Sequence, residues 1–545
     1  MREYALTDHQ FRSLAEGGGS PDAIDLLAEA QLSGRRLRLL AIAENWDALP
    51  PALQDALSLV IQIDQTSPQA GLDLLRYPFL GACLAPLLAA LPAVASRDQQ
   101  AALQVAEQLG SLAAATAIAA GIPFEIVLTC SGRDLVLPRI GTAIGVGPAQ
   151  VRVQFDGAIV MVGQTLELSI PADEPRCGWR PAHLVRLSNH TLEIVDTDPL
   201  RARFPEPPRD AFSSADRASF DRLVRDAWQI LDDDQPEHVR AMRTALRALV
   251  PLRTPADAAQ VSASVRGCFG AIGISVPGDP EVMAELLVHE FQHEKLGALL
   301  DLVDLCSDSD DRRYHAPWRP DARPAKALVQ GVYAFAGVAG FWRARRSSFR
   351  YYSWREHVSY ALDQLLGSGE LTPVGVQFFR GLDATLASWR SEDPTPPVAQ
   401  LHSAALHVAW RLTHYRPASD DIATIVATWP SKLPANSWAA PAVAESSISS
   451  EPAGLLDGRG AVNRDGTSEA ERAILNGEPA YALSLLPSPG SDREWTAAAV
   501  ALYSREGQAA IAYRRPDVLR AVFEQLEAQG QRPDLVALHT WLGSR

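Results

Sequence analysis

At 545 residues the chain is too long for a single core and predicts two to four domains. Its formal net charge of −15 argues against a protein that grips nucleic-acid phosphates, and hydrophobic and charged fractions of 47% and 21% exclude a disordered chain. Cys83, Cys130, Cys177, Cys268 and Cys306 contain no Cys-x-x-Cys pair, so neither a disulfide framework nor a thiolate zinc site is expected and a reducing cytoplasm fits. Met1-Arg2-Glu3-Tyr4 has no apolar signal core. The most apolar run, Leu80 to Ala95, is broken by Pro86 and Pro92 and is too short to span a bilayer, so a soluble cytoplasmic protein with no membrane partner is expected.

In chain order, residues 1–121 read as a helical region, with apolar residues at three- and four-residue spacing over Asp22–Leu32, Arg35–Ala48 and Asp98–Ala120. The period then shortens. Phe124–Thr129, Asp134–Leu137, Val151–Phe155 and Ala158–Val162 alternate between glycine-rich turns, and His183–Leu187 with Thr191–Val195 reads as a hairpin, so residues 122–205 predict a small antiparallel β region. Residues 206–428 predict a helical catalytic region: helices over Ala215–Leu231 and Pro236–Leu249, a strand over Cys268–Val276, then helices over Ala325–Arg345, Trp354–Leu366, Thr372–Trp389 and Gln400–Leu412. The Pro-, Ser-, Ala- and Gly-rich stretch 429–467 reads as a linker, and 468–545 as a C-terminal helical region. The fold class expected is α+β, predominantly helical.

Between the strand and the later helices stands Leu287-Val288-His289-Glu290-Phe291-Gln292-His293-Glu294-Lys295-Leu296-Gly297, which contains His-Glu-x-x-His. Asp279 as N-cap and Pro280 at the first position predict a helix from there past Leu300. Each helical residue turns about 100°, so His289 and His293 share a face one turn apart and can chelate one divalent ion. Leu286, Leu296 and Leu300 continue that face, which is therefore expected to be buried. The preceding strand could offer a ledge to an extended peptide or be an internal strand with no free edge.

Spacing alone allows two chemistries. In a zinc peptidase Glu290 would activate a metal-bound water and a further carboxylate would complete the site. In a non-haem iron oxygenase the two histidines and one more ligand would leave positions open for a 2-oxo acid and dioxygen. The His-x-Asp signature of the common jelly-roll oxygenases is absent from the chain.

The motif segment, extended from Leu286 to Leu302, is followed by Tyr314-His315-Ala316-Pro317-Trp318-Arg319-Pro320-Asp321-Ala322-Arg323-Pro324 and Gly331-Val332-Tyr333-Ala334-Phe335. With Ala119–Phe124, Leu137-Pro138-Arg139-Ile140-Gly141, Asp196-Thr197-Asp198-Pro199 and Leu371-Thr372-Pro373-Val374-Gly375, these blocks resemble the HExxH-type 2-oxoglutarate-dependent peptide β-hydroxylase family. That family belongs to the biosynthesis of ribosomally synthesised and post-translationally modified peptides (RiPPs). The resemblance covers roughly residues 8–390 in order and leaves the C-terminal part uncovered.

The resemblance implies a dioxygenase that uses Fe(II) and 2-oxoglutarate to hydroxylate a side-chain β-carbon of a ribosomal precursor peptide, alongside other peptide-modifying enzymes. It implies that His289 and His293 hold the iron, with Glu290 as a ligand, a supporting group or a base. The third ligand stays open among His315, Asp321 and Gln330. A 2-oxo acid also needs a cation for its distal carboxylate, and Arg319 or Arg323 could supply the guanidinium fork. Equally, Arg319 could stack on Trp318 and Arg323 pair with Asp321 in a structural turn. Two rival readings stand beside this one: a gluzincin-like zinc metallopeptidase acting on a peptide, and an inactive peptide-binding scaffold whose C-terminal helices hold a partner enzyme.

Overall fold

The computed structural model describes residues 4–94, 99–255, 260–307, 312–431, 442–443 and 467–544. The fold is α+β and mostly helical, with 59% of the described residues in helix. It divides into two compact units, Met1–Val303 and Asp304–Arg545.

The first unit opens on a capping box at Thr7 and Gln10 that starts the helix Asp8–Ala15. A single helix, Pro21–Ala43, replaces the two expected there and runs straight through Gly34. An interior glycine costs about 1 kcal/mol of helix propensity. Tertiary bonding offsets it: the buried Arg35 donates from this helix to the carbonyls of Leu75, Pro78 and Phe269. Helices Pro51–Thr66, Pro68–Leu75 and Leu80–Val94 follow, inside the region expected to be helical though not delimited there one by one, and then Gln99–Ala119, as expected except that Asp98 lies outside the described residues.

The β region forms two antiparallel sheets. One runs Phe124–Cys130, Ala149–Phe155, Ile159–Val162, Leu166–Ser169, and the other Leu135–Leu137, Gly141–Ala143, Trp179–Pro181. Their buried alternate residues share a core with the N-terminal helices, from Leu53 and Leu109 to Val153 and Trp179. Gly141 lets two strands approach closely, since a Cβ there would meet Trp179 Cζ2 at 2.4 Å.

The expected hairpin forms, His183–Arg186 against Thr191–Ile194, but it belongs to a larger mixed sheet. The order is Ser262–Ser264, Ala271–Ser275, Ala248–Leu252, Thr191–Ile194, His183–Arg186, with Ala248–Leu252 parallel to both its neighbours. This corrects the helix expected over Pro236–Leu249, which stops at Ala245. Ala248–Leu252 is buried throughout, and such a short apolar run carries no period to separate strand from helix. Pro251 is tolerated because pairing with Thr191–Ile194 ends at Leu249, beyond which the Arg209 N–H donates to the Pro251 carbonyl.

In the second unit the expected helices appear as Ala325–Ala344, Ser348–Gly367, Pro373–Glu392 and Pro397–His414. The linker expected over 429–467 lies largely outside the described residues. The segments on either side of it share one core: Leu401, Val408 and Ile422 pack with Ile474, Trp495, Val522 and Leu538. Glu469–Leu475 and Pro479–Ser484 form a helix–turn–helix. The Trp318 indole lies over Gly331, where a Cβ would meet its Cζ2 at 2.4 Å, and stacks towards Phe335 at 4.7 Å. Gly331→Ala should therefore displace Trp318 and cost about 1–3 kcal/mol by overpacking. A melting temperature unchanged by the substitution would refute that contact.

Candidate metal centre

The motif lies on the helix Pro280–Leu300, with Asp279 as N-cap accepting from the Glu281 N–H at 2.7 Å and Pro280 opening the first turn. Three residues of the motif segment anchor the helix from its buried side. Gln292 Nε2 donates to the Gly17 carbonyl at 3.1 Å, and Lys295 Nζ donates to the carbonyls of Gly17 and Gly18. Glu294 accepts the Gly270 N–H at 2.7 Å in the turn before the Ala271–Ser275 strand. Burial pushes the Glu294 carboxyl up to about 8 and the Lys295 ammonium down to about 7, so each is held close to neutral by its surroundings. These groups fix the axial position of the helix, and with it the histidines.

His289 and His293 fall on the helix's least buried stripe, with Glu285, Leu286, Gly297 and Leu300. The expectation of a buried histidine face is corrected: Leu296 is buried, but Leu286 and Leu300 are only half-buried, like the imidazoles. A Cβ at Gly297, one turn beyond His293, would meet no described atom within 4 Å.

The two imidazole Nε2 atoms lie 3.2 Å apart, with the rings nearly perpendicular at 80°. Two donors each about 2.1 Å from one ion subtend roughly 100° at that spacing, between the octahedral and tetrahedral angles. Burial, reinforced by His293, holds His289 well below the usual imidazole range, so it stays neutral, the form that binds a metal.

Glu290 is 2% exposed. Its Oε1 accepts the Ser262 hydroxyl at 2.6 Å and stands 3.9 Å from His289 Nε2, while Oε2 is buried with no hydrogen-bond partner among the described residues. Burial raises its carboxyl, opposed by His293 and by the hydroxyls of Ser262 and Ser264. An orphaned carboxylate oxygen beside two converging imidazoles fits a bound cation, which would supply the missing partner. Among the described residues, no three His, Cys, Asp or Glu side chains converge as a ready-made ligand set.

His315, Asp321, Gln330, Arg319 and Arg323 all belong to the second unit. His315 is buried there, its ring stacked on Trp410 at 4.6 Å and 18°, with Tyr360 and His407 alongside. Its backbone exchanges two hydrogen bonds with the Gln364 side chain. Asp321 is shared between Arg319 Nε at 2.7 Å and Arg323 Nη1 at 2.9 Å, across the turn joining Tyr314–His315 to Ala322–Arg323. Burial would raise the Asp321 carboxyl, but the two guanidiniums outweigh it and hold it low. Gln330 is half-buried on Ala325–Ala344.

Asp196 and Asp198 cap and tie the chain after the hairpin. Asp198 accepts the Leu200 N–H and the Tyr77 hydroxyl, and Asp196 accepts the Phe212 N–H and pairs with Arg217.

Sequence reasoning missed Ser262, the partner that orients Glu290. A three-residue Ser-Ala-Ser strand has no apolar alternation to announce it. No family model and no curated protein matches the chain. Among the described residues, no single helix is long and apolar enough to cross a membrane.

Proposed function

We propose that the protein is a cytoplasmic Fe(II)- and 2-oxoglutarate-dependent oxygenase that hydroxylates a side chain of a ribosomally made precursor peptide. The observation that carries this reading is the pair of imidazoles whose Nε2 atoms stand 3.2 Å apart on one helix, His289 held neutral by burial, beside a buried and half-satisfied carboxylate. The resemblance of the sequence blocks around the motif selects oxygenase over peptidase. When bound, the iron and its 2-oxo acid would supply the oxidising chemistry.

The chain's own residues do the positioning. His289 and His293 donate from Nε2. Glu290, tied to Ser262, supplies negative charge beside them and can hold a proton at Oε2. Gln292, Glu294 and Lys295 keep the helix from rotating or sliding, which would break the convergence of the two rings.

The reading is tested by anaerobic titration of the metal-free protein with Fe(II) and 2-oxoglutarate. A charge-transfer band that needs both, and is lost in His293→Ala, is expected. Stoichiometric zinc with peptide cleavage and no band would replace this reading with the metallopeptidase, and no metal binding at all would leave the scaffold.

A further inference from the structure

The strand Ser262–Ser264 is the edge of the five-stranded sheet, and it runs beside the metal helix. At one end Ser262 Oγ donates to Glu290, and just past the other end Arg266 pairs with Asp301 at 2.6 Å, so strand and helix advance in the same direction. The Ala271–Ser275 strand, expected as either a ledge or an internal strand, is internal; Ser262–Ser264 covers it.

The register decides which backbone groups the edge presents. The Ser275 N–H donates to the Val261 carbonyl, which makes Val261 and Ser275 a hydrogen-bonded pair. Such pairs alternate along an antiparallel ladder. Ala263 therefore faces Gly273 with both its N–H and C=O, and Ser262 and Ser264 turn theirs outward. Among the described residues those outward groups have no partner. They repeat after two residues, about 6.8 Å along an extended strand.

The opposite edge of the same sheet differs: the Arg186 carbonyl is reached by Arg225 Nε, and His183 is tied to Asp221 at 2.6 Å by the helix Ser214–Asp234. The near edge carries no proline, lysine or bulky side chain that would repel an added strand. A donor and an acceptor on one residue, repeated two residues on, match the main chain of another extended polypeptide and no common small molecule.

We propose that the substrate peptide docks as a sixth strand on Ser262–Ser264, through the outward N–H and C=O of Ser262 and Ser264. Its main chain is thereby laid along the metal helix, with alternate side chains directed to the His289–His293 side. Selection of the residue to be modified is then a matter of register, and the strand tolerates many sequences on either side of it. The inference rests on the reading of the substrate as a peptide and is independent of which metal is bound.

The experiment uses the full-length protein and two pooled libraries of random peptides of about nine residues, a length that spans the strand with overhang. One library has ordinary amides and the other is N-methylated at alternate positions; peptide retained by the immobilised protein is quantified by mass spectrometry. The ordinary library is expected to be retained at least tenfold more than the N-methylated one, with slowed hydrogen exchange at the amides of Ser262 and Ser264. Ser264→Pro, which removes an outward N–H without breaking a ladder bond, should lose that retention at least tenfold, whereas Ser264→Ala should keep it.

Equal retention of both libraries, or full retention by a folded Ser264→Pro protein, overturns the proposal. If Ser264→Pro does not fold, the comparison of libraries on the unsubstituted chain decides alone. No retention of either library overturns both the docking edge and the peptide substrate. Loss of retention in the proline variant together with a failed iron titration leaves the edge standing and removes the oxygenase.

Discussion

His293→Ala should abolish the metal-dependent part of the protein's stability while leaving the metal-free fold nearly unchanged. His293 sits on the half-open stripe of its helix, where truncation leaves no closed cavity, and alanine is the better helix former. A metal present at a hundred times its dissociation constant stabilises a folded protein by about 2.7 kcal/mol. The unsubstituted chain should show that increment with Fe(II) or Zn(II) in denaturant titrations, and neither His289→Ala nor His293→Ala should show it, because one imidazole cannot chelate. Glu290→Gln should behave differently. It keeps the shape that Ser262 holds but removes the charge, so metal affinity should fall by roughly 10–100-fold rather than vanish. Equal metal-dependent stabilisation in all four proteins would refute the centre.

How far the sequence disclosed this centre depends on the range of the interaction. The motif helix was legible from its N-cap, because Asp279, Pro280 and the histidine spacing act within one or two turns, whereas its end at Leu300, short of the extent expected, was not. The hairpin His183–Ile194 was legible for the same reason. What failed was longer in range. Whether Ala248–Leu252 is helix or strand is decided by neighbours contributed by Thr191–Ile194 and Ala271–Ser275, and nothing within the run itself chooses.

Ser262 acquires its role only once the sheet carries it under Glu290. His315 looked like a ligand candidate because it follows the motif closely in sequence. Its companions Tyr360, His407 and Trp410 come from helices 45 to 95 residues further along the chain, roughly the separation local patterns cannot reach. The same holds for the half-open histidine stripe: periodicity shows which residues share a face, but the exposure of that face depends on what packs against it.

Those companions of His315 give the second unit an expected acid sensitivity that the first does not share. His315, His357, His402 and His407 are each at least nine-tenths buried. Among the described residues, ring nitrogens without partners are left at His315 Nδ1, His402 Nδ1, His407 Nδ1 and both nitrogens of His357. Burial lowers all four: His357 and His407 to about 3, His402 to about 4, and His315 well below its usual range, with neighbouring histidines adding to the effect at His315 and His357. Each is neutral when folded and takes up a proton below about pH 6.5 when unfolded, so the unfolded state binds more protons as pH falls towards the folded values. Stability is therefore full above pH 6.5 and drops by about 1.4 kcal/mol per histidine per pH unit below it, roughly 2 kcal/mol each by pH 5.

In the first unit the lowered His190, His238 and His289 are opposed by the raised Glu193, Glu290 and Glu294, which bind protons in the folded state first and act with the opposite sign. In the second unit the half-buried Asp363, raised by burial, is a smaller counterweight. Hydrogen exchange followed by mass spectrometry at pH 7.5 and pH 5.5 should thus show residues 304–545 losing protection first, while residues 1–303 hold theirs. Because neither nitrogen of His357 has a hydrogen bond to lose among the described residues, His357→Phe should reduce the acid slope of the second unit by close to one proton without weakening it at neutral pH. Parallel loss of protection in both units, or an unchanged slope in His357→Phe, would show that these imidazoles are not what holds the second unit to neutral pH.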